Sequence, residues 1–197
     1  MLPLLKRVEP RSSIPALAAA LSHVTPFLVA ALILPLVEAA AHLPARGALI
    51  GLDLGSKTIG VATSDPDRRI ATAVETVNRK KFAADAARLL AVASERNAVG
   101  FVLGLPVNMD GSEGPRAQST RAFARNLARL TDLPIALWDE RLSTAAVERA
   151  LIAADVSRAR RTRVIDQHAA VFILQGALDR LARCAVASDL SPPGRRV

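Results

Sequence analysis

Residues 51–62, which read GLDLGSKTIGVA, constrain the fold of this chain more than any other segment. Two apolar runs flank a short connection that contains Gly55, a pattern typical of a β-hairpin. Asp53 lies inside the first run, although aspartate is disfavoured in strands and costly to bury without a compensating partner. A carboxylate at this place indicates a bound metal ion, and a metal ion beside a glycine-containing turn indicates phosphate chemistry.

Apolar periodicity along the rest of the chain predicts an alternation of strands and helices after this hairpin. The predicted strands cover residues 48–54, 58–64, 69–77, 99–103 and 135–138. The predicted helices cover residues 80–95, 116–130, 144–154 and 165–183, and an arginine-rich connection covers residues 156–163. Three strands followed by helix–strand pairs favour an α/β fold with a five-stranded mixed sheet and helices on both faces.

The chain of 197 residues has a formal net charge of +8 and a pI of about 11.1. This balance favours a polyanionic partner, above all nucleic acid. Because there are five Phe, one Trp and no Tyr, a platform that stacks bases is disfavoured, and we expect contacts mainly to phosphates. The single cysteine, Cys184, excludes an intrachain disulfide and fits a reducing compartment.

Residues 1–46 differ in composition from the rest of the chain. Basic residues precede the uncharged span 12–37, an order typical of a signal peptide or a membrane anchor, although three prolines interrupt the span. An over-extended start of the reading frame or an unstructured leader is the competing interpretation, and residues 36–43 read as a short amphipathic helix. We therefore predict an N-terminal extension over residues 1–46, a folded domain over residues 47–186 and a disordered basic tail over residues 187–197.

Four stretches in chain order resemble the sequence signatures of one family. They are residues 51–62 (GLDLGSKTIGVA), 102–111 (VLGLPVNMDG), 138–144 (WDERLST) and 164–170 (VIDQHAA). The family is YqgF, small ribonuclease H-like proteins that are called pre-16S rRNA nucleases and also Holliday-junction-resolvase-like. The resemblance implies a ribonuclease H-like fold and a metal-dependent nuclease that hydrolyses phosphodiester bonds. Four ordered motifs are far more specific than any one of them alone.

The resemblance implies that Asp53, Glu140 and Asp166 are the catalytic acids and the metal ligands. Carboxylates from separate elements suit Mg²⁺ or Mn²⁺, which keep waters and bind phosphate oxygens. Glu140 competes with Asp139 for the site, because neighbouring residues of an extended segment point to opposite faces. Asp166 has a second interpretation, as an acid at a helix N-terminus that complements the helix dipole.

Seven further residues are candidates for substrate binding: Lys57, Asn108, Asp110, Arg141, Arg160, Arg161 and Arg163. Lys57 follows the hairpin turn, where it either contacts a phosphate or is an ordinary exposed residue. Asn108 and Asp110 lie in a long loop, and long loops are usually functional or mobile. Arg141 either binds phosphate or pairs with Asp139. The remaining arginines are expected to contact the nucleic-acid backbone.

The resemblance implies maturation of the 5′ end of pre-16S rRNA in the cytoplasm. Precursor rRNA and ribosomal particles are then the expected partners, with no obligate protein partner and a monomer or weak dimer. A Holliday-junction-type endonuclease acting on branched DNA uses the same chemistry, and a non-catalytic nucleic-acid-binding protein on this fold is a third hypothesis. An actin-like ATPase or sugar kinase is disfavoured, because it requires a duplicated domain that about 150 residues do not supply.

Overall fold

The computed structural model describes residues 30–142 and 158–189, and within the second part it describes the side chains of residues 168–186. In these residues six strands form one sheet: β1 (Ile33–Pro35), β2 (Ala48–Leu54), β3 (Thr58–Ser64), β4 (Ala71–Asn78), β5 (Ala98–Leu105) and β6 (Ile135–Asp139). Their order across the sheet is β1-β6-β5-β2-β3-β4. The predicted bounds of the hairpin strands β2 and β3 are those observed.

The directions of the strands bring the carboxyl ends of four strands to one edge of the sheet. β2 is parallel to β5, β5 to β6, and β6 to β1, whereas β3 is antiparallel to both β2 and β4. Each parallel pairing requires a crossover that returns the chain to the opposite edge before the next strand begins. We call the edge where β2, β5 and β6 end the carboxyl edge, and sheets of this kind place their ligand crevices there.

Helices cover both faces of the sheet. They are α1 (Leu36–Ala39), which continues into a 3₁₀ turn (Ala40–His42), α2 (Phe82–Glu95), α3 (Pro115–Ala128) and α4 (Arg158–Asp189). Because side chains alternate along a strand, Ile50 and Leu52 of β2 lie in the core under α2 and α3, and Leu49 lies in the core under α4. Each of the three is fully buried, which stabilises the fold by roughly 1.5–3 kcal/mol per side chain.

The sheet has six strands in the described residues rather than the five predicted from the sequence. The additional strand, β1, lies within residues 1–46 and pairs in parallel with β6 at the edge of the sheet. Leu36 and Ala39 of α1 are only 4% and 1% exposed, so this part of the chain contributes to the core. A three-residue parallel strand has no hairpin turn to reveal it, and its partner lies far away in the sequence.

The last helix is longer than the predicted residues 165–183. α4 begins inside the predicted connection 156–163 and ends inside the predicted tail 187–197, and its backbone departs from helical geometry at His168 (φ −127°, ψ 19°). Arginine favours helices almost as well as leucine, so an arginine-rich composition did not exclude a helix. The predicted helix 144–154 lies outside the described residues.

No helix within residues 30–142 and 158–189 is long and apolar enough to cross a bilayer. Most of the uncharged span 12–37, for which a membrane anchor or a signal peptide was considered, lies outside the described residues.

Candidate active site at the carboxyl edge

Asp53 lies one residue before the end of β2, on the face of the sheet that α4 covers. Gly51 shares this face, because a Cβ at Gly51 would lie 2.7 Å from Leu174 Cβ of α4 and strand residues two apart point the same way. Across the hairpin Asp53 pairs with Gly60, where a Cβ would lie 3.5 Å from that of Asp53. The half-buried carboxylate borders a cavity of about 180 Å³ that His168 also lines.

Glu140 directly follows β6, and its side chain crosses Gly104 of the neighbouring strand β5. A Cβ at Gly104 would lie 2.6 Å from Glu140 Oε1 and 2.5 Å from Ile173 Cδ1, too close for real atoms. Glycine at position 104 therefore leaves the space that the Glu140 carboxylate occupies. The register of β2 and β5 pairs Leu52 with Leu103, so Asp53 and Gly104 each follow this pair, and the two carboxylates come together under α4.

Burial and a neighbouring negative charge raise the pKa of the Glu140 carboxyl group. Burial is the largest cause that raises the pKa of Glu140 from 4.5 to about 7, and the negative charge of Asp53 is the next cause that raises it. Arg116 acts in the opposite direction, and Asp139 adds a smaller rise. A buried carboxyl group beside a second carboxylate is typical of a cation site.

Asp139, the last residue of β6, forms an ion pair with Arg141. The guanidinium donates to both carboxylate oxygens, with Nη2 and Oδ2 2.6 Å apart, and these bonds hold the pKa of Asp139 below its usual range. The family resemblance favoured Glu140 over Asp139 as the acid that enters the site, and the sequence left open what Arg141 contacts. In the structure Glu140 is the acid beside Asp53, and Arg141 pairs with Asp139.

Arg141 also holds the loop between β5 and α3. Its Nη1 donates to the carbonyl oxygens of Asn108 and Met109 at 3.2 and 3.3 Å. Within the loop, Asp110 accepts bonds from the hydroxyl and backbone N–H groups of Ser112, which lower the pKa of Asp110. Asn108 Nδ2 donates to Ser112 Oγ at 2.9 Å. The candidates Asn108 and Asp110 thus shape an exposed loop at the carboxyl edge, and their contact with substrate stays a prediction.

Lys57 is exposed at the hairpin turn, beside two arginines that are not among the seven candidates predicted from the sequence. Arg79 and Arg116 line the same groove as Lys57. Arg116 carried a signal in the sequence, because it is a basic residue in the first turn of a helix, where acids are favoured. The sequence around Arg79 gives no signal of a functional role. Arg79 follows β4, and its Nη1 donates to Gly55 O at 2.8 Å.

The third predicted acid, Asp166, has a side chain outside the described residues, as do Arg160, Arg161 and Arg163. Among the side chains that are described, no group of three His, Cys, Asp or Glu is arranged to hold a metal ion. Asp53 and Glu140 nevertheless fit a divalent cation. They are hard oxygen donors from separate elements, and a cation would relieve the repulsion that raises the pKa of Glu140.

Residues 47–180, which include both carboxylates, match the model of the family described as RuvX, Holliday junction resolvase. The chain belongs to this family. A protein of Nitrobacter winogradskyi named "Putative pre-16S rRNA nuclease" is 81% identical over 150 residues, which cover 76% of this chain and 92% of the relative. A protein of the same name from Rhodopseudomonas palustris strain TIE-1 is 81% identical over 152 residues, which cover 77% of this chain and 95% of the relative.

Similar solved structures include T. thermophilus RuvC in complex with a Holliday junction substrate. That chain is 15% identical, with a TM-score of 0.44, and the match covers 70% of this chain and 96% of RuvC. The fowlpox virus Holliday junction resolvase is 13% identical, with a TM-score of 0.37, and the match covers 73% of this chain and 99% of the resolvase.

Membership of the RuvX family confirms the resemblance to YqgF and identifies this protein as a phosphodiester-hydrolysing nuclease. The mixed sheet with helices on both faces confirms the predicted α/β fold class.

Proposed function

We propose that this RuvX-family protein is a metal-dependent nuclease that matures the 5′ end of pre-16S rRNA. The shared name of relatives that are 81% identical supports the substrate. One observation supports the chemistry: the carboxylates of Asp53, in β2, and Glu140, directly after β6, lie together at the carboxyl edge, where burial and the charge of Asp53 raise the pKa of Glu140. A metal ion held by paired carboxylates would supply an activated water, so phosphodiester hydrolysis would need no nucleophilic side chain.

We propose that Asp53, Glu140 and Asp166 hold Mg²⁺ or Mn²⁺. Ions of this kind, when bound, supply an activated water and stabilise the leaving oxygen. Glu140 must lose its proton to act as a ligand, and the positive charge of Arg116 favours the ionised form by lowering the Glu140 pKa. Gly104 leaves room for the carboxylate, and α4 covers the pair on one face of the sheet.

Nucleic acid is the proposed partner, because a net charge of +8 attracts a polyanion. The side chains proposed to contact phosphates are Lys57, Arg160, Arg161 and Arg163. Arg141 is proposed to position the loop that carries Asn108 and Asp110. An rRNA substrate places the protein in the cytoplasm, with ribosomal particles as its surroundings, and the proposal requires no more than a monomer or weak dimer.

The second candidate function is a DNA endonuclease acting on Holliday junctions. The family description, Holliday junction resolvase, favours it, and the same acids would perform the same hydrolysis on either substrate. A non-catalytic protein that only binds nucleic acid is the third hypothesis.

The test offers the protein a fragment of precursor 16S rRNA and a four-way DNA junction side by side, each with Mg²⁺ or Mn²⁺. Asp53→Asn is the inactive control, and Asp132→Asn, at an exposed acid away from the carboxyl edge, is the matched control. We expect cleavage of the rRNA that is lost in Asp53→Asn and kept in Asp132→Asn. Cleavage of the junction alone would assign the DNA function, and binding of either substrate without cleavage would assign the non-catalytic role.

The arginines of α4 are tested by neutralising Arg160, Arg161 and Arg163 together. The salt dependence of nucleic-acid binding should become flatter, because each phosphate contact releases counterions. An unchanged slope would exclude these arginines from the bound backbone.

A further inference from the structure

A groove between the hairpin turn and the start of α3 carries positive charge. It has a volume of about 690 Å³, and the basic side chains that line it are Lys57, Arg79 and Arg116. We call it the basic groove. Hydroxyl groups of Ser119 and Thr120 also line it, and none of its described lining residues is an Asp or Glu. A groove with this lining favours a polyanionic ligand over a neutral or cationic one.

Two of these cations have no structural use that the described residues reveal. The ion pairs among described side chains include neither Lys57 nor Arg116. Arg116 stands in the first turn of α3, where the helix dipole disfavours a cation, and that turn contains no acid and no side-chain cap on Gly114. Two cations and an uncapped helix N-terminus that open on one groove together favour a bound anion.

Arg79 adds a cation that is already held in place. Its Nη1 donates to Gly55 O at 2.8 Å, and its backbone N–H donates to Lys57 O at 2.9 Å. The end of β4 is thereby tied to the hairpin turn. Because a guanidinium has five N–H donors, most of them stay available after the bond to Gly55.

The basic groove adjoins the carboxylate pair. Thr58 lines both the basic groove and the cavity that contains Asp53. Arg116 lines the basic groove together with Thr58. A nucleic-acid strand that crosses the carboxyl edge at Thr58 would therefore pass from the cations directly to the acids.

We infer that the basic groove binds backbone phosphates of the substrate strand next to the cleaved bond, and that it does not read base identity. This inference rests on the proposed nuclease function. The described lining has no Asn, Gln, Asp or Glu, the side chains that pair with adenine or cytosine edges, and its arginines and lysine are left with phosphates or guanine as partners. Its one aromatic residue, Phe123, is 5% exposed and packs edge-to-face on Phe82 at 5.4 Å, so it offers no surface for base stacking.

The first experiment compares Lys57→Gln and Arg116→Gln with Arg96→Gln. Arg96 is an exposed arginine just before the amino end of β5, at the opposite edge of the sheet, so its variant removes the same charge elsewhere. Binding of a short fluorescein-labelled single strand is followed by anisotropy, with Ca²⁺ replacing Mg²⁺ to keep the strand intact. We expect each groove variant to weaken binding roughly fivefold and to lower the salt slope by about 0.7 per lost contact. Slopes equal to that of Arg96→Gln would overturn the inference.

Arg79→Gln is a separate case, because it also removes the bond to Gly55. Arg79→Lys keeps the charge and should retain most of the binding, while Arg79→Gln should lose it. The melting temperatures of both variants show whether weaker binding comes from the lost charge or from a destabilised hairpin turn. If Arg79→Lys binds as poorly as Arg79→Gln at unchanged melting temperature, Arg79 acts through geometry and not as a phosphate-binding charge.

The second experiment replaces single phosphates of an oligodeoxynucleotide by uncharged methylphosphonates, one position at a time. A replacement at the bound phosphate should weaken binding to the wild-type protein and should have little further effect in Arg116→Gln. Exchange of the bases at the same positions, including guanine for adenine, should leave affinity unchanged. A preference of tenfold or more for one base would show that the groove reads sequence.

Binding and cleavage separate the two proposals. If the groove variants lose affinity although the wild-type protein cleaves nothing, the groove inference holds and the nuclease proposal fails. If the wild-type protein cleaves and the groove variants bind and cleave like Arg96→Gln, the nuclease proposal holds and the groove inference fails.

Discussion

The carboxylate of Glu140 lies across Gly104 from Asp53, and burial together with the charge of Asp53 raises the pKa of Glu140 to about 7. Asp53 belongs to β2 and Glu140 follows β6, with β5 between them in the sheet. The pair is thus produced by parallel pairing of strands that are remote in the sequence. Four predictions follow from this arrangement and from the contacts around it, each with its own measurement.

Asp53→Asn should lower cleavage by more than about 100-fold, because an amide is a poor ligand for a hard cation. The substitution is isosteric, so the melting temperature should change little in the absence of metal. The cleavage rate and the affinity for Mn²⁺ of Asp53→Asn are compared with those of Asp132→Asn. The affinity is measured by titration calorimetry. Activity within a few-fold of wild type would remove Asp53 from the metal site.

Without metal, Glu140 should make the protein less stable as the pH rises from about 4.5 to about 7. The pKa of Glu140 is higher in the folded protein than in the unfolded chain. The contribution of Glu140 to the free energy of unfolding is therefore fully present below the pKa of the unfolded chain. It is lost as the pH rises through the pKa of the folded protein. Because the side chain keeps some contact with water, we expect an effect of about 1–2 kcal/mol.

Unfolding of Glu140→Gln and wild type in EDTA checks the sign of this effect. The two proteins should be similar near about pH 5, and the variant should be the more stable near about pH 8. Asp139, whose pKa is lowered, acts in the opposite direction and in a more acidic window. Equal pH dependence of the two proteins would mean that Glu140 titrates normally.

Gly104→Ala should damage the site more than it damages the fold, because the new methyl group would meet Glu140 Oε1 at 2.6 Å. We expect a loss of metal affinity and of kcat, with a destabilisation of about 1–3 kcal/mol from the contact with Ile173. Gly51→Ala is the contrast, since its methyl group would meet Leu174 and the backbone of α4 but no carboxylate. If the loss of activity in both variants is proportional to their loss of stability, the role of Gly104 is limited to packing.

Arg141→Lys should loosen the loop that carries Asn108, because a lysine cannot bridge Asp139 and the two loop carbonyls at once. Amides of Gly111 and Ser112 should exchange with solvent faster, and kcat/KM should fall about tenfold through misplacement of the loop. Arg88→Lys, which alters an arginine–carboxylate cluster with Glu75 away from the loop, is the control. Unchanged exchange in Arg141→Lys would show that the loop holds its shape without this contact.

The local sequence pattern was sufficient to predict most strands and helices of this fold. The hairpin of β2 and β3 was predicted to its end residues, because apolar runs on either side of a glycine-containing turn depend only on near neighbours. Asp53 stood out for the same reason, as a carboxylate in an apolar strand. The edge strand β1 escaped prediction, since a short apolar segment before Pro35 looks the same whether it enters a membrane or pairs with β6.

What the sequence by itself determined is the order of the elements from β2 to β6, the hairpin and the α/β fold class, which follow from periodicity. The resemblance of four motifs to one family supplied the acids from which the site is chosen. The resemblance favoured Glu140 over Asp139, and only the tertiary structure gives the physical reason: Arg141 pairs with Asp139, and Gly104 leaves space for Glu140. The tertiary structure also brought Arg79 and Arg116 to one groove. Parallel pairing and helix packing join residues far apart in the chain, and no local pattern encodes which side chains then meet.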